Sequence, residues 1–264
     1  MKSSFFNTIF KILFVLLLIL VAAPVINMLV SLSPELISYV FQDKEIVRSI
    51  FFTLEASLYA TLFGLLLGIP TAYLLARHEF WGKGVIEAIV DIPVMFPHSA
   101  AGIALLSIYG SRFLFGKMFA VFGIEFVDTV FGVILGMFFV SFSYLVNSAK
   151  EGFKKVDVHL EYVARNLGAS RFQSFWKVVL PCAFSDILSG MIMMWARGLS
   201  EFGAVVILAY HPMTAPVMIY ERFTSFGLQY SKPISVIMIY ISLIIFILLR
   251  FIQHKTKVKD KRKT

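Results

Sequence analysis

Charge is scarce in this chain, and so is cysteine. Only 15% of its 264 residues are Asp, Glu, Lys or Arg, where a soluble domain carries about 25%. A single cysteine, Cys182, excludes an internal disulfide framework. Five histidines at 78, 98, 159, 211 and 254 show no ligand-like spacing, so no metal site is expected. Neither HExxH nor a deep carboxylate pair is present, which argues against a membrane enzyme. No G-x-x-x-x-G-K-[ST] loop occurs, so the chain has no cradle for nucleotide phosphates. Its net charge is +8, yet basic and aromatic residues are not interleaved, and nucleic acid is a poor partner.

What abounds is apolar: 59% of residues are hydrophobic and the mean hydropathy is +0.84. A membrane span needs about 20 such residues in a row. Six stretches qualify, at 12–32, 56–76, 92–111, 129–149, 187–209 and 233–249. All are uncharged except the fifth, which holds Arg197 and Glu201, and the sixth is short unless its flanks contribute. The first follows Lys2 and Lys11 and looks like a signal peptide. Its apolar run is too long for one, and Ala22-Ala23-Pro24 is a weak cleavage site, so an uncleaved helix is expected. With both termini cytoplasmic, seventeen Lys and Arg fall on inner segments and six on outer loops. That bias sets the orientation. The basic tail at 253–264 reads as an anchor on anionic lipid. The expected organisation is a first helix with an external loop over 1–48, a five-helix core over 49–252, and the tail.

The longest inner loop, between the fourth and fifth spans, is patterned. Asp157 is placed to cap a short helix. Val156, Leu160, Val163, Ala164 and Leu167 then recur on one helix face. Gly168 stands where a helix end favours a left-handed residue. Ser170 and Gln173 have capping-box spacing, so a second helix follows at once through Phe172, Phe175, Trp176 and Val179 to Pro181. Its aromatic face belongs at the membrane interface or under the spans. An amphipathic connector lying on the bilayer would share the apolar face. Two tight boundaries favour a rigid, protruding hairpin instead.

Gly168, nine residues, then Val178-Val179-Leu180-Pro181 resembles the "EAA" motif of permease subunits of binding-protein-dependent ABC importers. Ala164 matches its second alanine, whereas Tyr162 and Val163 depart from its front and Glu161 sits one residue early. The segment 91–106, from Asp91-Ile92-Pro93 to Leu106, is similar to the third-helix segment of molybdate and tungstate permeases. Trp195-Ala196-Arg197-Gly198-Leu199-Ser200-Glu201-Phe202-Gly203-Ala204 is similar to their fifth-helix segment. Sulfate permeases look similar too. The resemblance covers about 49–251. It implies an all-α polytopic membrane protein of type I ABC permease fold, with six transmembrane helices and a cytoplasmic coupling helix between helices 4 and 5.

The resemblance further implies an importer permease for molybdate or tungstate in the cell (plasma or inner) membrane. Two separate ATP-binding subunits would hydrolyse ATP, an external binding protein would deliver the oxyanion, and a second copy would complete a homodimer. No cofactor is expected in this chain. ATPase-coupling candidates are Glu161, Ala164, Arg165, Leu167, Gly168, Ala169, Ser170, Leu180 and Pro181.

An unpaired charge at the bilayer centre costs about 3 kcal/mol. Arg197, near the middle of the fifth stretch, and Glu201 one turn on are therefore expected to face the protein interior or water. They either fix helix packing, with each other or with Asp91, or line the anion path. Conduction needs weak binding, and neutralisation by Glu201 would suit it. Pro93 and Pro97 predict a kink in the third span, beside which His98 and Ser99 can hydrogen-bond an oxyanion. Gly203 completes the path candidates. Gly64/Gly68 and Gly132/Gly136 form GxxxG patterns whose default role is packing within the chain, with subunit contact the alternative. Outside, residues 217–223 predict a short surface helix, where the resemblance puts the binding protein. The rival readings are a sulfate permease and an ion-coupled secondary transporter; no internal repeat supports the latter.

Overall fold

The computed structural model describes residues 2–260, with side chains described over 6–251 and at 253. Much of the predicted tail, residues 261–264 and the side chains of 254–260, lies outside the described residues.

Helix α1 (Lys2–Val30) is apolar on every side over residues 12–26 and mostly exposed over residues 6–30. The Tyr240 hydroxyl donates to Leu29 O at 2.8 Å near its end. Ser33 caps the short α2 (Pro34–Gln42), and Asp43 caps α3 (Lys44–Arg77). Next come α4 (Lys83–Met95), α5 (His98–Tyr109), α6 (Leu114–Ala120) and α7 (Val130–Lys155). The hairpin is α8 (Val158–Asn166) and α9 (Arg171–Ser174), which passes through a π turn (Phe175–Val179) into α10 (Leu180–Leu199). Then follow α11 (Gly203–Leu208), α12 (Ala215–Phe226) and α13 (Leu228–Asp260).

Helices α3, α7 and α10 form the centre of the bundle. Their contact is close because glycine lets it be. A Cβ at Gly190 would lie 3.0 Å from Leu145 Cα and 3.1 Å from its carbonyl oxygen. Gly64 and Gly68 face Met194, Leu145 and Val146, so this GxxxG pattern serves packing within the chain. The hydroxyls of Thr53, Thr61 and Ser141 donate to backbone carbonyls in their own helices, which removes their cost in an apolar interior.

Among the described residues five helices are long and apolar enough to cross a membrane, or six if α4 and α5 count as one bent span. Three expectations are corrected here. The third stretch is no kinked rod: α4 and α5 meet at 117° across Phe96 and Pro97. A residue before proline is driven out of the helical region, and Phe96 is extended, with φ −75° and ψ 138°. The fifth stretch stops at Leu199 and restarts at Gly203, so Arg197 lies in the last turn of α10 rather than mid-span. Pro181 does not end the hairpin's second helix. It occupies the first turn of α10, where the π turn bonds Leu180 N to Phe175 O and no proline N–H is needed. The sixth stretch gains from its flanks, since α13 runs for 33 residues.

Gly190→Val should lower the thermal midpoint of the purified protein, at a cost of about 1–3 kcal/mol for overpacking. Gly84→Ala, with no atom within 4 Å of the added carbon, should leave it unchanged or higher. Equal midpoints for Gly190→Val and the native chain would refute the packing argument.

Candidate functional site

Chemistry gathers at two places. The first is the hairpin. The Asp157 carboxylate accepts the His159 N–H at 2.9 Å and opens α8. At the other end Gly168 takes φ +89°, its N–H donates to Arg165 O at 3.0 Å, and Ala169 N donates to Ala164 O at 3.0 Å. Nothing lies near the missing Gly168 side chain, so the need for glycine is conformational. Ser170 and Gln173 form a reciprocal capping box: Gln173 N donates to Ser170 Oγ at 3.2 Å, and Ser170 N to Gln173 Oε1 at 2.9 Å.

The inner face of α8 is bound to α3. Glu161 Oε1 pairs with Arg77 Nε at 2.7 Å, and Tyr73 donates its hydroxyl to Glu161 Oε2 at 2.9 Å. Arg77 Nη2 also donates to Val156 O at 2.9 Å. Glu161 is thus turned onto its own chain, and Arg165 lines a cavity beside it. Leu160, Val163 and Leu167 present an exposed apolar face, Leu167 at 83%. Gly168 and Ser170 are exposed at the turn, and Ala164 and Ala169 are half-buried. Leu180 and Pro181 stand apart, in the first turn of α10. Tyr73 and Arg77 were not among the sequence candidates. The available signal was Arg77, the first charge after the second apolar run.

The second place is where both broken helices break. His98 begins α5, Arg197 lies in the last turn of α10, and Glu201 lies in the gap before α11. Arg197 Nη2 donates to Glu201 Oε2 at 2.8 Å and lies 2.7 Å from His98 Nδ1. His98 Nδ1 is 3.0 Å from Glu201 Oε2. The other Glu201 oxygen accepts the Ala204 N–H at 2.7 Å, which starts α11. Glu201 is 1% exposed, while the His98 side chain is 42% exposed. Packing of α11 on α5 is backbone to backbone. A Cβ on Gly203 would lie 2.6 Å from His98 Cβ, and one on Gly102 2.8 Å from Ala204 O.

The structure therefore brings His98, Arg197, Glu201 and Gly203 together. Asp91 is elsewhere: it accepts from Asn147 Nδ2 at 2.6 Å, so the suggested Asp91–Arg197 pairing is not found. Pro93 is buried within α4, Pro97 sits at the bend, and Ser99 is exposed in the first turn of α5. At the opposite end from the hairpin, Arg222 of α12 holds Asp43 and Glu45 at 3.2 Å each. Among the described residues no cluster of His, Cys, Asp and Glu is arranged for a metal ion.

The family model for the binding-protein-dependent transport system inner membrane component matches residues 62–258. The chain belongs to this family. As a member of it, the chain is 46% identical over 209 residues to the molybdate/tungstate transport system permease protein WtpB of Methanocaldococcus jannaschii, covering 79% of this chain and 82% of that one. It is 45% identical over 210 residues to the protein of the same name from Pyrococcus furiosus, covering 80% and 79%. It is 32% identical over 245 residues to a probable sulfate transport system permease protein of Chlorokybus atmophyticus, covering 90% and 86%. Its fold matches a chain of a bacterial ABC transporter involved in alginate import, with TM-score 0.76 over 96% of both chains at 16% identity. A methionine ABC transporter matches with TM-score 0.63 at 14% identity, over 85% of this chain and 99% of that one.

Removing one member of a buried ion pair costs about 3–5 kcal/mol, because the other charge is left alone. Glu201→Ala should therefore lower the thermal midpoint strongly, since it strands Arg197 and uncaps α11. Adding Arg197→Ala should restore part of the loss. Additive losses across that double-mutant cycle would show that the two charges do not interact.

Proposed function

We propose that this chain is the permease subunit of an ATP-driven importer of molybdate or tungstate. The observation that carries the reading is its 46% identity to a molybdate/tungstate permease across 79% of its length. Likeness to a sulfate permease is weaker, at 32%. Sulfate is the alternative cargo, being a tetrahedral dianion as well.

In this proposal the hairpin faces the cytoplasm, as the distribution of Lys and Arg favours. The exposed row Leu160, Val163 and Leu167 docks on a separate ATPase subunit. The turn at Gly168 to Ser170 holds the hairpin's shape. Hydrolysis belongs to that partner, because this chain has no phosphate-binding loop. A second copy completes a two-fold pore, and an external binding protein delivers the ligand at the end that carries α12. ATP binding draws the two hairpins together; hydrolysis and release reset them. No cofactor in this chain enters the cycle.

The oxyanion passes the break between α4 and α5. There His98, Ser99 and the first-turn N–H groups of α5 offer hydrogen bonds, and a helix N-terminus favours an anion. Glu201 neutralises Arg197, so the cationic attraction is weak. A path needs that weakness, since a trap would not release its cargo.

Reconstituted with its ATPase and binding protein, the complex should hydrolyse ATP faster when molybdate or tungstate is supplied, and less so with sulfate. Stimulation by sulfate alone would transfer the assignment to sulfate. Gly168→Pro, which forbids φ +89°, should abolish ATPase co-purification while the permease still inserts. Normal co-purification would exclude the hairpin as the docking element.

A further inference from the structure

A cavity of about 700 Å³ lies between the last turns of α3 and the hairpin. We propose that it is a binding site for the headgroup of an anionic phospholipid. One side of the cavity is cationic. Arg77, Arg165 and Arg171 line it against a single carboxylate, Glu161. Arg77 is consumed by that carboxylate. Arg165 and Arg171 are exposed, and among the described residues neither guanidinium has an ion-pair or hydrogen-bond partner. Two guanidinium groups are therefore free to take a phosphodiester, which a guanidinium fork fits well. Ser174 lines the same cavity, 2% exposed, and its hydroxyl has no partner. A buried hydroxyl without a partner is costly, and a phosphate oxygen would relieve it.

The other side of the cavity is apolar, which distinguishes a lipid from a soluble phosphate. Pro70 and Leu74 of α3 line it together with Phe172 and Trp176. Leu74 is 51% exposed on a helix long and apolar enough to span a bilayer. Trp81, fully exposed just beyond α3, and Trp176 are the amphipathic rings that settle at headgroup level. Acyl chains would lie along α3 while the headgroup enters between the arginines. Basic pockets between helices on the cytoplasmic side are suited to such lipids. The bound lipid would brace the hairpin against α3 beside the Glu161–Arg77 pair.

The test is native mass spectrometry of the full chain with phosphatidylglycerol and phosphatidylcholine as probes. The readout is lipid retention, which does not depend on which oxyanion is carried. The native chain should retain phosphatidylglycerol over phosphatidylcholine. Arg171→Gln should weaken that retention about fivefold, and the Arg165→Gln, Arg171→Gln pair about 25-fold, at about 1 kcal/mol per arginine. Ser174→Ala should weaken it less. Lys177→Gln, in the π turn just after the hairpin and outside the cavity, should not change it. Millimolar inorganic phosphate should not displace the lipid. Equal retention of both lipids, an unchanged Arg171→Gln, or an equal loss in Lys177→Gln would overturn the proposal. So would displacement by phosphate, which would mark a plain anion site. A loss of ATPase association by Arg171→Gln in lipid-free detergent would assign the arginine to the protein partner and also overturn it.

Discussion

A projecting hairpin can move a bundle only if it is fixed to the bundle. Here the fixing is one ion pair, Glu161 with Arg77 at 2.7 Å, reinforced by the Tyr73 hydroxyl and by the bond from Arg77 to Val156 O. Both charges are largely removed from water, with side chains 14% and 7% exposed. Such a pair contributes little net stability against an apolar substitute. What it supplies is position. Tyr73 also stacks edge-on against Phe153 and Phe175, so α3, α7 and the π turn meet at the same point. With the inner face of α8 held this way, its outer face, Leu160, Val163 and Leu167, is left exposed.

The second constraint is the need to satisfy backbone groups wherever a helix is interrupted in an apolar setting. Both interruptions here lie beside Glu201. Its carboxylate caps α11 through Ala204 N, pairs with Arg197 at the end of α10, and reaches His98 at the start of α5. One buried carboxylate therefore joins three helix ends. The glycines at 102 and 203 allow the approach that makes this reach possible. An Arg and a Glu four residues apart look from sequence like an ordinary helix pair. In the fold the pair crosses a helix end.

That contrast explains what was legible in the sequence. The hairpin's boundaries could be read because they are local: Asp157, Gly168 and the Ser170–Gln173 box act on backbone groups within three residues. The apolar stretches could be read because the bilayer demands length. The breaks were hidden, because each lies inside an apolar stretch, 92–111 or 187–209, that is long enough to read as a single span. Prolines warned of a kink at the first break, but a 117° turn depends on what receives the freed groups. At the second, Glu201 is a cap only because α5 and Arg197 hold it in place. Tyr73 and Arg77 were invisible as a site for the same reason: their partner is 88 residues away from Tyr73 in sequence.

The two places are joined by a single element. From Arg171 to Leu199 the chain is helical for 29 residues, about 43 Å at 1.5 Å per residue. One end leaves the hairpin and the other carries Arg197. In the proposed transport cycle a displacement of the hairpin would be delivered along α10 to the Arg197–Glu201–His98 cluster, where the helix stops. The π turn at Phe175–Val179 lies near the hairpin end. Single π turns inside an α-helix are frequent at functional sites. Below it, Gly190 presses α10 against Leu145 of α7 with no spare space, and packed interfaces shift between discrete arrangements rather than deforming smoothly. In the proposed transport cycle the rod would thus tilt as a unit against α3 and α7. The half-exposed His98 ring stands at its far end, where that tilt would be felt.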